Sequence, residues 1–191
     1  MNPLFKTLGL SLTLVLSACA VSPQSVVLQP LAAVTGPAYG QGRALTIIVE
    51  DRRTNSSLGS RGGVYEASST ISISNDIKSA LLLAAQKAAA QLGFNGNSSA
   101  APAQLTLVLE QLTYDTQTQS LIHTVNLDAK ITLITTVNGS SHTGHYQTEA
   151  SHKFPRLPDA QKNSEIINNV LSTSLERGFS DISLANFLAK N

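Results

Sequence analysis

Apolar and polar residues alternate most clearly in the second half of the chain. From 121 to 137 the odd positions are mostly apolar, while the even positions in the middle of this stretch are polar. Such alternation is typical of a long strand with one face in a core and the other in water. Asn138 and Gly139 then provide a type I′ turn, and the return over 142–154, poor in apolar residues, predicts an edge strand. Its inward-facing residues are predicted to be Tyr146, Ala150 and Phe154.

Apolar residues at spacings of three and four predict helices on either side of this hairpin. The first helix covers 75–92 and ends at Gly93, and the second covers about 160–178, where Gly178 interrupts it. Asp181 caps a short last helix. The predicted N-cap of the first helix is Ser74 or Asn75.

The predicted elements follow one another as strands, a helix, a three-stranded meander and a helix. Since consecutive strands usually lie side by side, we expect an α+β fold of two layers: a mostly antiparallel sheet with two main helices on one face. The strands that complete the pattern are predicted at 45–49, around 64–66, at 70–73 and within 104–115.

The N-terminal region has a different pattern. Lys6 precedes an apolar run over 8–16, and the small residues Ser17 and Ala18 stand directly before Cys19, the one cysteine of the sequence. A charged start, an apolar stretch of about 7–15 residues and small residues are the layout of a secretory signal peptide. The run is too short to span a bilayer. An ordinary secretory signal followed by a chance cysteine is the alternative.

The residues Leu16 to Cys19 resemble the lipobox of bacterial lipoproteins. That resemblance implies cleavage before Cys19, an S-diacylglyceryl group on its sulfur and an acyl group on its new amine. One acyl chain binds a membrane only weakly, whereas several anchor a protein stably. In enterobacterial lipoproteins, an aspartate directly after the cysteine resembles an inner-membrane retention signal. This chain has Ala20 at that position, so we expect a lipid anchor in the outer membrane, with the protein facing the periplasm.

Three segments follow from this interpretation. Residues 1–18 are a lipoprotein signal peptide, residues 19–43 are the lipidated N-terminus and a flexible tether rich in Pro, Gly and Ser, and residues 44–191 are one α+β periplasmic domain. As a flexible coil the tether would span roughly 25–30 Å. Part of it, 26–28, is suited to an edge strand.

The charge balance bears on nucleic-acid binding, and the cysteine content bears on how the domain is stabilised. Removal of Lys6 with the signal peptide leaves 12 basic and 12 acidic residues. A neutral chain without a basic run gives no electrostatic reason to bind nucleic acid. Once Cys19 is lipidated no disulfide can form, so packing alone must stabilise the domain.

Nearly the whole chain resembles the YajG family of uncharacterised bacterial lipoproteins. The resemblance rests on "LSAC", "DRRT", the helix "SNDIKSALLLAAQKAAAQLGF", the meander from "LTLVLEQLTYD" to "AKITLITTVNG" and the ending "NNVLSTSLERGFSDISLANFLAKN". It implies a lipid-anchored envelope protein with no assigned catalytic residue. Lipidation of Cys19 is therefore the one residue role that transfers.

The segment "DRRT" is the most prominent polar motif. Asp51, Arg52 and Arg53 follow the first core strand, at a position where binding loops often lie. The guanidinium of Arg53 suits recognition of a carboxylate or phosphate. These three residues are the candidate ligand or partner loop, and the alternative is an Asp–Arg pair that only shapes the loop.

Histidines and carboxylates give no comparable signal. His142 and His145 lie on opposite faces of a strand, and His142 and His152 share a face but are roughly 33 Å apart, so we expect neither a metal site nor a cofactor. His123 is predicted to be a hydrogen-bonded residue at the rim of the sheet. Asp115 near His123 is the best acid–base pair, and a polar hairpin rim is the alternative.

The function expected from these observations is that of a non-enzymatic domain at the outer membrane that binds a protein or lipid partner in the envelope. The alternative is a periplasmic hydrolase or small-ligand-binding protein that uses the 51–63 loop.

Overall fold

The computed structural model of the chain describes residues 21–63 and 66–191. The signal peptide, Cys19 and Ala20 lie outside the described residues, as do Val64 and Tyr65 of the predicted short strand. In the described part the elements are β1 Gln24–Val26, β2 Leu45–Asp51, β3 Gly59–Ser60, β4 Thr70–Ile73, α1 Ile77–Gln91, β5 Ala103–Gln119, β6 Ile122–Val137, β7 Ser140–Phe154, α2 Ala160–Phe179 and α3 Ile182–Lys190.

The long strand β5 is the centre of one open sheet. On one side it pairs with β6 in antiparallel orientation, and β6 pairs in the same way with β7. On the other side the first part of β5 pairs with β2 in parallel orientation. Beyond a bulge between Leu109 and Gln111, Tyr114 pairs with Gly59 of β3. The sheet continues through β4 to β1, which is parallel to β4.

The α+β class is confirmed, but the predicted strand neighbours are only partly correct. The antiparallel meander β5–β6–β7 and the edge position of β7 are as expected. The sheet as a whole is mixed, because β2 pairs in parallel with β5 and does not lie beside β3, the next strand in the chain. The unit β2–α1–β5 is therefore a parallel crossover, in which a helix connects two strands that run in the same direction.

The core lies between the sheet and the apolar faces of α1 and α2. The inward-facing residues of β5 are at odd positions before the bulge and at even positions after it, because the extra residue shifts the alternation by one. The buried residues of this core are Leu105, Leu107, Leu109, Leu112 and Tyr114 of β5, Val125, Leu127, Ala129, Ile131 and Leu133 of β6, and Leu81, Ala84, Ala85, Ala88, Ile167, Leu171, Leu175 and Phe179 of the helices.

The helix ends agree with the sequence in position but not in every detail. The N-cap of α1 is Asp76, which accepts a hydrogen bond from the Ser79 N–H at 2.7 Å, and not Ser74 or Asn75. Gly178 does not interrupt α2. A Cβ at this position would lie 2.7 Å from Cδ1 of Leu133, so the glycine allows the helix to approach β6 closely.

Residues 21–43, predicted to be a flexible tether, pack against the domain, and we refer to them as the strap. Val26, Leu28 and Ala32 are buried in the main core. Asn168 of α2 donates a hydrogen bond to the carbonyl of Val27 at 2.9 Å and accepts one from the Gln29 N–H at 2.7 Å.

Asn75 holds the strap in the same manner. Its Oδ1 accepts from the Leu28 N–H at 2.8 Å and its Nδ2 donates to the Leu28 carbonyl at 2.9 Å. Further along, Tyr39 donates to the carbonyl of Phe179 at 2.8 Å. The tether prediction is therefore wrong for the described residues of this segment. Composition suggested flexibility, but side chains of residues far away in the chain bond the backbone of the strap.

The inward face of β6 can be tested by a buried charge. Leu127→Asp places a carboxylate without a partner in the core, and we expect a loss of about 4 kcal/mol or more in the free energy of unfolding. Thr124→Asp is the control, because it adds the same charge to the outward face of the same strand, opposite Lys153. Urea denaturation measures both variants. Equal stability of the two proteins would contradict the assigned faces.

The docking of the strap can be tested by hydrogen exchange. In the wild-type protein the amide protons of Leu28 and Gln29 should exchange slowly, whereas those of a free tether would exchange within the first time point. Asn168→Ala removes both bonds to the strap and should cost about 1 kcal/mol of stability while accelerating exchange at Gln29. Asn169→Ala, an exposed neighbour on the same helix, should leave both quantities unchanged. Rapid exchange in the wild type would show that the strap is free.

Candidate functional site

The predicted loop residues Asp51 and Arg53 bind each other. Arg53 donates from Nε and Nη2 to the two carboxylate oxygens of Asp51, each at 2.9 Å, and its backbone N–H reaches Oδ1 at 3.2 Å. The hydrogen bonds from Arg53, together with the charge of Lys78, lower the pKa of Asp51 below its usual range. The geometry matches the alternative in which an Asp–Arg pair shapes the turn that follows β2.

Arg52 is held differently. Its backbone N–H donates to the carbonyl of Leu109 at 2.9 Å, which extends the β2–β5 ladder by one bond. Its side chain is exposed and pairs with Glu50 at 2.7 Å. The side chain of Arg53 is only 9% exposed, and its Nη1 has no hydrogen-bond partner among the described residues. A ligand of this loop would have to compete with Asp51 and Glu50 for the two guanidinium groups.

Arg61, in the same loop region, has a structural role that the sequence did not reveal. It is only 8% exposed and donates to the carbonyls of Ser22, at 2.8 Å, and Pro158, at 3.1 Å. Burial lowers the pKa of its guanidinium. Arg61 therefore fixes the start of the strap next to the segment that enters α2. No local sequence pattern distinguishes it from an exposed loop arginine, because both of its partners are distant in the chain.

The histidines lie where the strand alternation places them. His142 stacks on Phe187 of α3 with ring centroids 5.7 Å apart, while His145 on the other face bonds Thr132 at 2.8 Å. His123 bonds Thr118 at 2.9 Å, as expected for a hydrogen-bonded residue at the rim. Asp115 lies opposite Asn126 on the outward face, so the sheet separates it from His123. In residues 21–63 and 66–191, no three His, Cys, Asp or Glu side chains are grouped as metal ligands.

The outer edge of β2 carries backbone groups with no partner in the described part of the chain. Ala44 accepts from the Ala103 N–H and Arg52 donates to the Leu109 carbonyl, each at 2.9 Å. Since successive residues of a strand direct their backbone groups to opposite sides, the even residues of β2 bond β5. The N–H and C=O groups that face away from β5 are those of Leu45, Ile47 and Val49.

A groove runs along this edge, between β2 and α1. Its volume is about 350 Å³, and Leu45 and Ile47 of the strand form one wall. Its other lining residues come from α1 and the loop that follows, and they are Gln86, Ala89, Phe94, Asn95 and Gly96. A strand added to the edge of β2 would direct every second side chain into this groove, whose lining includes both apolar and polar residues.

The other edges of the sheet are better protected. The opposite edge strand, β7, is polar along its length, and Arg177 of α2 donates to its Gln147 carbonyl at 2.6 Å. The third edge, β1, is short and is itself part of the strap. Natural sheets protect their edges by short strands, polar residues and covering side chains. By this criterion β2, with its sequence LTIIVED, is the least protected edge among the described strands.

A second groove lies between the strap and α1. Its volume is about 600 Å³, and Leu31 of the strap and Leu83 of α1, both largely exposed, lie on its two walls. The strap creates this groove, so no prediction based on a free tether includes it.

The β2 edge was not among the predicted sites, although one signal for it was present. The β-branched run over 46–49 is typical of a strand buried in a parallel sheet, and a helix followed by another apolar strand is the pattern of a parallel crossover. That pattern predicts β2 beside β5, but whether a further strand covers β2 depends on the whole sheet.

A family model described as uncharacterised lipoprotein matches residues 30–189. The chain belongs to this family, the YajG family. Membership implies a membrane-anchored location in the cell envelope. Among the described residues, no helix is both long and apolar enough to cross a membrane.

Solved structures and curated proteins add little to this assignment. A protein from Xanthomonas campestris is similar in structure, with a TM-score of 0.47 and 9% identity, over 86% of this chain and 99% of that one. A minor lipoprotein from Acinetobacter baumannii has a TM-score of 0.41 and 8% identity, over 78% of this chain and 92% of its own. No curated protein matches the sequence.

The Asp51–Arg53 pair leads to a prediction about pH and stability. Asp51→Asn leaves the largely buried guanidinium without its charged partner, and we expect a loss of about 1–3 kcal/mol at neutral pH. Because the folded state lowers the pKa of Asp51, this stabilisation is fully present above the unfolded pKa of about 3.9. It disappears as the pH falls through the folded pKa.

Urea denaturation of the wild type and of Asp51→Asn, at a series of pH values, measures this difference. Glu50→Gln is the control, since it breaks the exposed pair with Arg52 and should change stability by less than about 0.5 kcal/mol. A difference between wild type and Asp51→Asn that stayed constant down to the most acidic condition would contradict the assigned role of the pair.

Proposed function

We propose that this lipoprotein is a non-enzymatic binding domain, anchored in the outer membrane by acyl groups on Cys19, that captures an extended segment of a protein partner in the periplasm. The observation that supports binding is the free edge of β2, together with the groove beside it. Support for the anchor comes from the lipobox in the sequence and from membership of a lipoprotein family.

The chemistry of the edge defines what it would bind. The backbone groups of Leu45, Ile47 and Val49 would give main-chain hydrogen bonds to any extended segment, whatever its sequence. Selectivity would come from the groove, whose walls include Leu45, Ile47, Ala89 and Phe94. The proposed ligand is therefore an extended peptide segment that directs every second side chain into the groove, where these apolar residues lie beside the polar Gln86 and Asn95.

Site-specific photo-crosslinking in intact cells tests this proposal. Crosslinking residues at Thr46 and Ile48, which are exposed beside the free edge, should capture one discrete partner. The same residue at Thr143, exposed on β7, should not. Gln86→Arg places a long charged side chain in the groove and should reduce capture by about tenfold, equivalent to about 1.4 kcal/mol. Ala90→Arg, an exposed position of the same helix outside the groove lining, is the matched control.

Cys19→Ser in the same background tests the anchor. We expect loss of the acyl groups and of capture, because the domain is no longer held at the membrane. Equal capture from β2 and β7, or capture that Gln86→Arg does not change, would contradict binding at the β2 edge. Undiminished capture by the unlipidated protein would contradict the need for an anchor.

A further inference from the structure

The start of the strap is fixed at one end of the sheet. The carbonyl of Ser22 accepts from Arg61 at 2.8 Å. Val21 lies next to Gly63, with its Cγ2 3.3 Å from the position that a Cβ on the glycine would occupy. Cys19 precedes Val21 by two residues in the sequence, and two residues of chain extend at most about 7 Å. Any membrane that holds its acyl chains must lie close to the same place.

The hairpin between β5 and β6 projects from the same end. Gly59 of β3 pairs with Tyr114 in parallel orientation, and a Cβ at Gly62 would lie 3.4 Å from the carbonyl oxygen of Thr116. The segment that ends beside Val21 therefore runs along β5 towards the hairpin. From Thr116 to Ser120 the strand advances about 13 Å further, so the tip of the hairpin reaches beyond the start of the strap.

The tip of this hairpin is apolar although it has no contact with the core. Leu121 is 84% exposed and Ile122 is 42% exposed, between the polar segments Thr116–Ser120 and His123–Thr124. Single exposed apolar residues are ordinary on protein surfaces. Leu121 and Ile122, however, are adjacent and lie at the most projecting point of the end from which the chain leads to Cys19. Such a pair requires an explanation in terms of what it contacts.

The charges around the tip fit a membrane surface. In the segments 116–127 and 150–158 the charged residues are Lys153 and Arg156, and the nearest carboxylates on these strands, those of Asp115, Asp128 and Glu149, lie further from the tip. His123 pairs with Phe154, the last residue of β7, so Arg156 follows directly at the level of the hairpin. Basic residues beside an apolar insertion are attracted to anionic phospholipid headgroups.

We propose that the β5–β6 hairpin tip, Leu121 and Ile122, inserts into the phospholipid surface beside the acyl chains of Cys19, with Lys153 and Arg156 at the headgroups. The inference rests on the proposed lipid anchor. Insertion gives the protein a second membrane contact, and two contacts fix its orientation where a single acylated residue would let it rotate. The free edge of β2 then faces the periplasm, at the opposite end of β5.

A fluorescent probe in the lipidated protein tests the insertion. Acylation blocks the sulfur of Cys19, so Gln119→Cys introduces the one reactive thiol, which is labelled with nitrobenzoxadiazole. The carrier is a vesicle of phosphatidylethanolamine and phosphatidylglycerol. We expect a blue shift of the probe emission and quenching by spin-labelled lipids. Ser140→Cys, directly after the turn at the opposite end of the sheet, is the control and should show neither effect.

Further variants test separately the insertion of the apolar tip and the contact of the two basic residues with the headgroups. Leu121→Asp in the Gln119→Cys background should abolish the blue shift while the protein stays bound through its acyl chains. Replacing both Lys153 and Arg156 by Glu should reduce quenching in vesicles that contain phosphatidylglycerol and leave it unchanged in phosphatidylethanolamine alone. Emission typical of water at position 119 in vesicle-bound, acylated protein would overturn the insertion.

The intact mass of the purified protein distinguishes this failure from that of the anchor. An acylated Cys19 with an aqueous probe overturns only the hairpin insertion. A mass without acyl groups overturns the anchor on which the insertion rests.

Discussion

The structure depends on β5, which is much longer than β2 and β3, the two strands that pair with one of its edges. Over 17 residues, roughly 55 Å at strand spacing, β5 pairs with β6 along one edge and successively with β2 and β3 along the other. The bulge after Leu109 makes this arrangement possible. It shifts the alternation by one residue, so that both parts of β5 direct apolar side chains to the same core. A strand without the bulge would bury Gln111 and Thr113 and expose Leu112 and Tyr114.

The second determining contact is the packing of the strap on the helices. The strap fills the space beside α1 and α2 with Val26, Leu28 and Ala32, and the side chains of Asn75, which precedes α1, and Asn168 of α2 bond its backbone. A lipoprotein with a free tether of this length would place its domain far from the lipid and in any orientation. With the strap docked, at most a few residues separate Cys19 from the domain. In the proposed arrangement the domain therefore lies directly at the membrane surface.

Because of the long strand β5 and the docked strap, the two ends of the molecule present different surfaces. The hairpin tip lies at one end of β5, and the β2 edge lies beside the other, with Ile48 opposite Thr106. Along the strand the distance from Thr106 to Ser120 is about 45 Å. A membrane contact at the first end and a peptide-binding edge at the second would let the domain reach a partner well outside the lipid surface. The paired charges of Asp51 and Arg53 lie at the end of β2, where they shape the chain rather than offer a free cation.

Much of the local structure could be predicted from the sequence. The alternation over 121–137, the turn at Asn138 and Gly139, which both have positive φ, and the apolar face of α2 follow from periods that each segment shows by itself. The candidate site could be predicted only in part. The residues of "DRRT" were identified, but the partner of Arg53 is two residues away and not a ligand, and the edge of β2 was not recognised as a surface.

What the sequence by itself determined is therefore whatever depends on neighbouring residues: the helices, the meander, the inward faces of β6, β7 and the first part of β5, and the lipobox at Cys19. Only the tertiary structure decided that β2 pairs with β5, that Arg61 holds Ser22, and that the strap is not a tether. The physical reason is the same in each case. A backbone N–H or C=O group must find a partner when it leaves water, and for these segments the partner comes from residues far away in the chain, which no local pattern specifies.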